Sequence, residues 1–123
     1  MSRTILVVDD QEDNRRILRD LLTNSGFEVI EAVTGEEGVT LAEARAPNLI
    51  LMDIQLPGID GYEATRQIKA KPALRAIPLI VVTSYALSGD DVKAFAAGAD
   101  AYVSKPFSPR AMLAKVREFL GSP

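Results

Sequence analysis

Asp9 and Asp10 end the apolar run Thr4 to Val8, Asp53 ends Asn48 to Met52, Thr83 ends Pro78 to Val82, and Lys105 ends Asp100 to Ser104. If these runs are parallel strands, their polar ends fall along one edge of one sheet. A further run, Phe27 to Ala32, ends without a comparable polar group. Carboxylates crowded at one edge repel and raise one another's pKa unless a cation offsets them. Magnesium is the natural occupant, being a hard ion that prefers oxygen ligands and is commonly shared between carboxylates and a phosphate. A carboxylate cluster, a hydroxyl and an ammonium together are the parts of a site that accepts a phosphoryl group.

Within that chemistry each residue has a role and a plainer alternative. Asp53, at a central strand end beside bound magnesium, can attack phosphorus and form a mixed anhydride, an aspartyl phosphate. The Lys105 ammonium would pair with a phosphoryl oxygen, and the Thr83 hydroxyl would donate a hydrogen bond to it. Alternatively, Asp9 and Asp10 cap a helix or form a turn, Asp53 leads into the Leu56-Pro57-Gly58 turn, Lys105 is a solvated loop lysine, and Thr83 is an ordinary strand former. For the acidic pair alone the plainer reading is better. The matching positions of Asp53 and Lys105 reverse that preference.

Positioning those ends requires a parallel sheet. Strand-length apolar runs alternate with longer segments of helical period, giving five β-α units. Ile5 to Val8, Leu49 to Met52 and Leu79 to Val82 are continuously apolar, as central strands covered on both faces should be. Phe27 to Ala32, with Glu28 and Glu31 turned outward, and the short Ala101 to Ser104 read as edges. Ile17, Leu18, Leu21 and Leu22, stopped by Gly26, form one helical stripe, and Met112, Leu113, Val116, Phe119 and Leu120 form another. Thr34 to Glu37 has capping-box spacing, and Ser108-Pro109 pairs an N-cap with proline at the first helical position. Helices are also expected from about Tyr62 to Lys69 and from near Gly89 and Asp90 to Ala97. The fold class is α/β, a doubly wound five-stranded parallel sheet of flavodoxin-like type. Its common order 2-1-3-4-5 puts strands one and three side by side at the switch point, where ligands bind.

Composition narrows the function further. The 123 residues make one domain, 1–123, without room for a second of ordinary size. With no His and no Cys, the chain excludes imidazole and thiolate zinc sites, Ser-His and Cys-His triads, and a phosphohistidine of its own. Any phosphohistidine must come from a partner. A net charge of -3 with scattered basic residues makes direct nucleic-acid binding unexpected. No apolar run approaches the ~20 residues that span a bilayer, and the acidic start lacks a signal-peptide pattern, so a cytoplasmic, membrane-free protein is expected.

The chain resembles the receiver domains of two-component response regulators, the CheY-like family, over essentially all of its length. The motifs are Val8-Asp9-Asp10, Leu51 to Gly61, Val82-Thr83-Ser84 and Tyr102 to Phe107; Ile50 to Pro57 also resembles the single-domain DivK subgroup. The resemblance implies phosphorylation of Asp53 by a histidine kinase or phosphotransfer protein. It implies magnesium held by Asp10, Asp53 and the Gln55 carbonyl, with Asp9 assisting, and a cis Lys105-Pro106 bond that re-aims the lysine. Tyr102, otherwise a half-buried edge-strand aromatic, becomes with Thr83 a switch pair. The ring would move inward as Thr83 is drawn to the phosphoryl group, reshaping a partner-reading face of Ala86 to Phe95, Tyr102 and Phe107. Phe95 by itself reads more simply as helix core. Gln55 and Tyr85 would border the site and influence phosphoryl lifetime. Ser84 departs from the family's more usual alanine, which puts the usual switching geometry in question there. Gly58 and Gly61 read as backbone requirements of a tight loop.

The expected function is therefore a phosphorylation-switched binding module in phosphorelay signalling, acting on a separate downstream protein. It is a phosphoacceptor that takes part in its own phosphorylation and dephosphorylation rather than an enzyme acting on external substrates. A magnesium-dependent phosphohydrolase with an Asp53 phosphoenzyme is the alternative, but the DxDxT motif is missing and no capping insertion shapes a substrate pocket. A flavodoxin-like cofactor carrier is disfavoured, because Asp9 and Asp10 stand where a phosphate loop needs neutral donors. Met1 and an end just past the last helical stripe favour a free-standing protein over a fragment of a larger regulator or hybrid kinase, and a monomer or weak dimer is expected.

Overall fold

The computed structural model describes residues 3–83 and 90–121. Its strands are β1 (Thr4–Val8), β2 (Glu28–Ala32), β3 (Leu49–Asp53), β4 (Leu79–Thr83) and β5 (Ala101–Ser104). They alternate with α1 (Glu12–Asn24), α2 (Gly35–Arg45), α3 (Gly61–Ala70), α4 (Asp90–Ala96) and α5 (Pro109–Leu120). All strand pairs are parallel, in the order β2-β1-β3-β4-β5, as expected, with β2 and β5 at the edges.

Period-two alternation along the central strands builds two cores. Leu6, Val8, Ile50, Met52, Leu79 and Val81 pack with Val39, Ala42, Ala64 and Ile68 from α2 and α3. Ile5, Val7, Leu49, Leu51, Ile80 and Val82 face the other way, against Leu18 and Leu22 of α1 and Met112 and Val116 of α5. Each fully buried Leu or Ile contributes about 1.5–3 kcal/mol relative to exposure. Both sheet faces are therefore covered, which is why the strands read as continuous apolar runs.

Local chemistry starts the helices. Thr34 Oγ1 accepts from the Glu37 amide at 3.0 Å, and Ser108 Oγ accepts from the Ala111 amide at 3.0 Å, so both expected caps are present. Asp60 is a third cap, accepting from the Glu63 amide at 2.9 Å. Its Asp60-Gly61-Tyr62-Glu63 spacing is a readable start signal that the sequence reading passed over.

Several expectations need correcting. Phe27 precedes β2 and is buried, its amide bonded to the Leu22 carbonyl at the end of α1. Glu31 is not a free outward carboxylate, because Arg15 and Arg19 of α1 both bind it. Ile17 is 51% exposed, off the core stripe, because Leu18, Leu21 and Leu22 already cover the sheet. Phe95 is also 51% exposed, since Ala94 and not Phe95 is the α4 residue turned to the core. Ser84, Tyr85, Ala86 and Gly89 lie outside the described residues.

Candidate functional site

Strand register brings the polar ends together. Val8 pairs with Met52, so Asp9 follows β1 beside Asp53, the last residue of β3. Val82 pairs with Asp53, which makes Thr83 the end of β4, and Thr83 pairs with Ser104, immediately before Lys105. Asp9, Asp53 and Thr83 are buried, with 2%, 7% and 0% exposure, while Asp10 is exposed.

One oxygen from each of Asp9, Asp10 and Asp53 lies within 4.8 Å of the others. This all-oxygen donor set fits a hard divalent cation. Asp9 Oδ2 accepts from Lys105 Nζ at 3.0 Å, and the same ammonium is 3.8 Å from Asp53 Oδ2. Asp9 Oδ1 accepts from the Gln11 amide at 2.9 Å, so Asp9 both shapes the entry to α1 and faces the cluster. The plain turn role and the cluster role coexist in one residue.

Asp53 Oδ1 accepts from the Ile54 amide at 2.8 Å. Burial pushes the Asp53 carboxyl up to about 6. Lys105 opposes that rise, the Asp9 charge adds to it, and the Ile54 and Gln55 amides oppose it. Burial is thus the main obstacle to ionising Asp53, and the Lys105 ammonium, which it shares with Asp9, offsets only part of it.

The loop after β3 is held tightly. Gly58 takes φ 76, and a Cβ there would meet the Glu36 carboxylate. A Cβ on Gly61 would run into the Asp53 carbonyl oxygen, so only glycine lets α3 begin this close to the cluster. The backbone requirement holds for both glycines, Gly58 within the loop and Gly61 as the first residue of α3. Gln55 is exposed two residues past Asp53. The Lys105-Pro106 peptide is cis, as the resemblance implied.

Tyr102, opposite Val81 in the sheet, is half-buried against the core that contains Ala94 of α4. Phe107 does not share that face. It packs on the α1 and α5 side and, with Asn14, Ile17, Lys105 and Pro106, borders an open hollow of about 360 Å³. The expected single face of Phe95, Tyr102 and Phe107 is therefore divided by the sheet.

Two supporting groups escaped the sequence reading. Arg15 donates to the Asp9 carbonyl at 2.7 Å, and Glu36 accepts from the Ile59 amide at 3.4 Å. Neither partner is readable from local spacing, because each contact joins separate elements.

Comparison with known proteins follows the same lines. Residues 5–117 match the family model described as the response regulator receiver domain. The chain is 40% identical over 121 residues to the polar-differentiation response regulator DivK of Brucella ovis, covering 98% of each. A putative response regulator from Chloroflexus aurantiacus superposes with a TM-score of 0.93 at 31% identity, with 98% of each chain covered. The receiver domain of a sensor histidine kinase from Pseudomonas aeruginosa superposes with a TM-score of 0.91 at 34% identity, covering 99% of this chain and 100% of that one. That neighbour carries a magnesium ion coordinated in its active-site cleft.

Proposed function

The chain belongs to the response regulator receiver domain family, and from that premise we propose that it is a phosphorelay receiver switched by phosphorylation of Asp53. The observation that carries this reading is the buried Asp53 carboxylate at a central strand end, gathered with Asp9 and Asp10 and approached by Lys105.

In this reading the phosphoryl donor is a histidine kinase or phosphotransfer protein, and its phosphohistidine lies on that partner because this chain has no His. One carboxylate oxygen of Asp53 attacks phosphorus, the phosphorus-nitrogen bond breaks with its electron pair going to the imidazole, and an acyl phosphate remains on Asp53. Lys105, now 3.8 Å from that carboxylate, balances charge on the transferred group. The Thr83 hydroxyl, at the neighbouring strand end, donates to a phosphoryl oxygen. Asp9, Asp10, Asp53 and the Gln55 carbonyl would hold magnesium, which when bound neutralises carboxylate and phosphoryl charge. The attacking oxygen supplies the electron pair for the new oxygen-phosphorus bond, so the reaction uses the ionised form of Asp53.

Phosphorylation favours one packing state of Tyr102, a bias of a few kcal/mol being sufficient. The half-exposed Phe95 and the exposed Val92 on α4 then belong to the surface read by a downstream protein. No helix among the described residues is long and apolar enough to cross a membrane, and the protein acts in the cytoplasm.

NMR of the Tyr102 ring, recorded while a small-molecule phosphodonor is added in magnesium, tests the coupling. Its resonances should shift in step with phosphoryl uptake. Lys105→Ala should take up less, or take up without the shift. Uptake by the parent chain with an unchanged Tyr102 would remove the switch from this account.

A further inference from the structure

We infer that Arg15 is a positioning residue for the acidic turn, clamping the peptide plane shared by Asp9 and Asp10. Resting on the receiver reading above, this assigns a task to a side chain outside the carboxylate cluster.

The Asp9 carbonyl and the Asp10 amide form one planar unit, so fixing that oxygen restrains the backbone on which both carboxylates are mounted. Arg15 Nη1 donates to this carbonyl at 2.7 Å. From the other side, the Asp9 amide is held by the Ala32 carbonyl of β2 at 3.1 Å. The clamp is itself anchored. Arg15 Nε donates to Glu31 Oε1 at 3.2 Å, and Nη2 donates to Glu12 Oε2 at 2.6 Å. The Arg15 side chain is only 11% exposed.

A planar guanidinium can serve these acceptors at once, whereas an ammonium presents a single point of charge. Arg19 supplies an internal control. It binds Glu31 at 2.8 Å and Glu12 at 3.0 Å. Among the bonds of the described residues, its guanidinium makes none to the Asp9 carbonyl. The two arginines thus share their anchors and differ at the acidic turn.

The test is a magnesium titration of the full chain, reading the dissociation constant from backbone amide shifts, with thermal melts alongside. Arg15→Met should raise the constant about tenfold, the scale for loss of an outer partner of a ligand. Arg19→Met should lower the melting temperature but leave the constant within about twofold of the parent. Arg15→Lys, which keeps the charge, should fall between them, raising the constant at least about threefold; it carries the comparison if Arg15→Met does not fold. Parent-like affinity in Arg15→Lys, or equal losses in Arg15→Met and Arg19→Met, would overturn the clamp while leaving the receiver reading intact. A parent chain that binds no magnesium would contradict the metal site itself, and the clamp with it.

Discussion

Asp53 is asked to be buried, ionised and close to Asp9, and Lys105 relieves only part of the conflict among those demands. Its carboxyl sits at about 6, above the ordinary 3.8, because burial disfavours the charge. The unfolded chain therefore releases this proton near pH 4, while the folded chain holds it until about pH 6. Between those values the folded state binds more protons, so its stability falls as pH rises, and the deficit persists above pH ~6. Melts recorded in chelator from pH 4.5 to 8 should show this fall in the parent and a smaller one in Asp53→Asn. At pH ~7.5 the variant should melt a few degrees higher, its amide carrying no charge to bury. These chemistry-bearing residues were legible in the sequence, since each polar stop ends a strand of the same sheet. Arg15's place at the turn was not legible, because Glu12 is its local partner while the Asp9 carbonyl and Glu31 reach it only through the fold.

At the scale of elements, sequence patterning located all five strands and the α2 and α5 starts because those signals are local. Errors occurred where tertiary burial decides which side of a helix faces inward. Ile17 fits the α1 stripe by spacing yet lies half in solvent, and Phe95 looks like core while Ala94 fills that place. Lys69 shows another long-range device. Its Nζ donates to the Ile77 carbonyl at 2.7 Å, to the Arg75 carbonyl at 3.1 Å and to Asp100 Oδ2 at 2.8 Å. The same Asp100 oxygen accepts from the Leu79 amide at 2.8 Å, so the contact fastens α3 to the starts of β4 and β5. Lys69→Met leaves these acceptors short of a donor and should cost about 1–3 kcal/mol in urea unfolding. The fastening lies at the strand starts, away from the carboxylates, so the same variant should accept phosphoryl groups at the parental extent. A Lys69→Met protein that unfolds at the parental urea midpoint would show that the contact adds nothing to the fold.

Across the whole molecule, parallel order turns separate sequence motifs into one edge. The helices cover both faces, leaving the carboxyl ends of β1, β3 and β4, with Lys105 just past β5, to form the site. The two sides of the sheet then present different surfaces. The hollow bordered by Ile17 and Phe107 opens beside Lys105 on the α1 side, whereas Tyr102 packs toward α4 on the other side of the sheet. In the proposed receiver role, this separation leaves different surfaces for a donor and a downstream protein. Everything in that arrangement depends on Asp53 accepting the phosphoryl group. The most direct measurement is intact-protein mass after exposure to a small-molecule phosphodonor, with magnesium, without metal, and with Asp53→Asn alongside. A gain of one phosphoryl group only in the magnesium-containing parent is the predicted result; equal gain by Asp53→Asn would contradict the account.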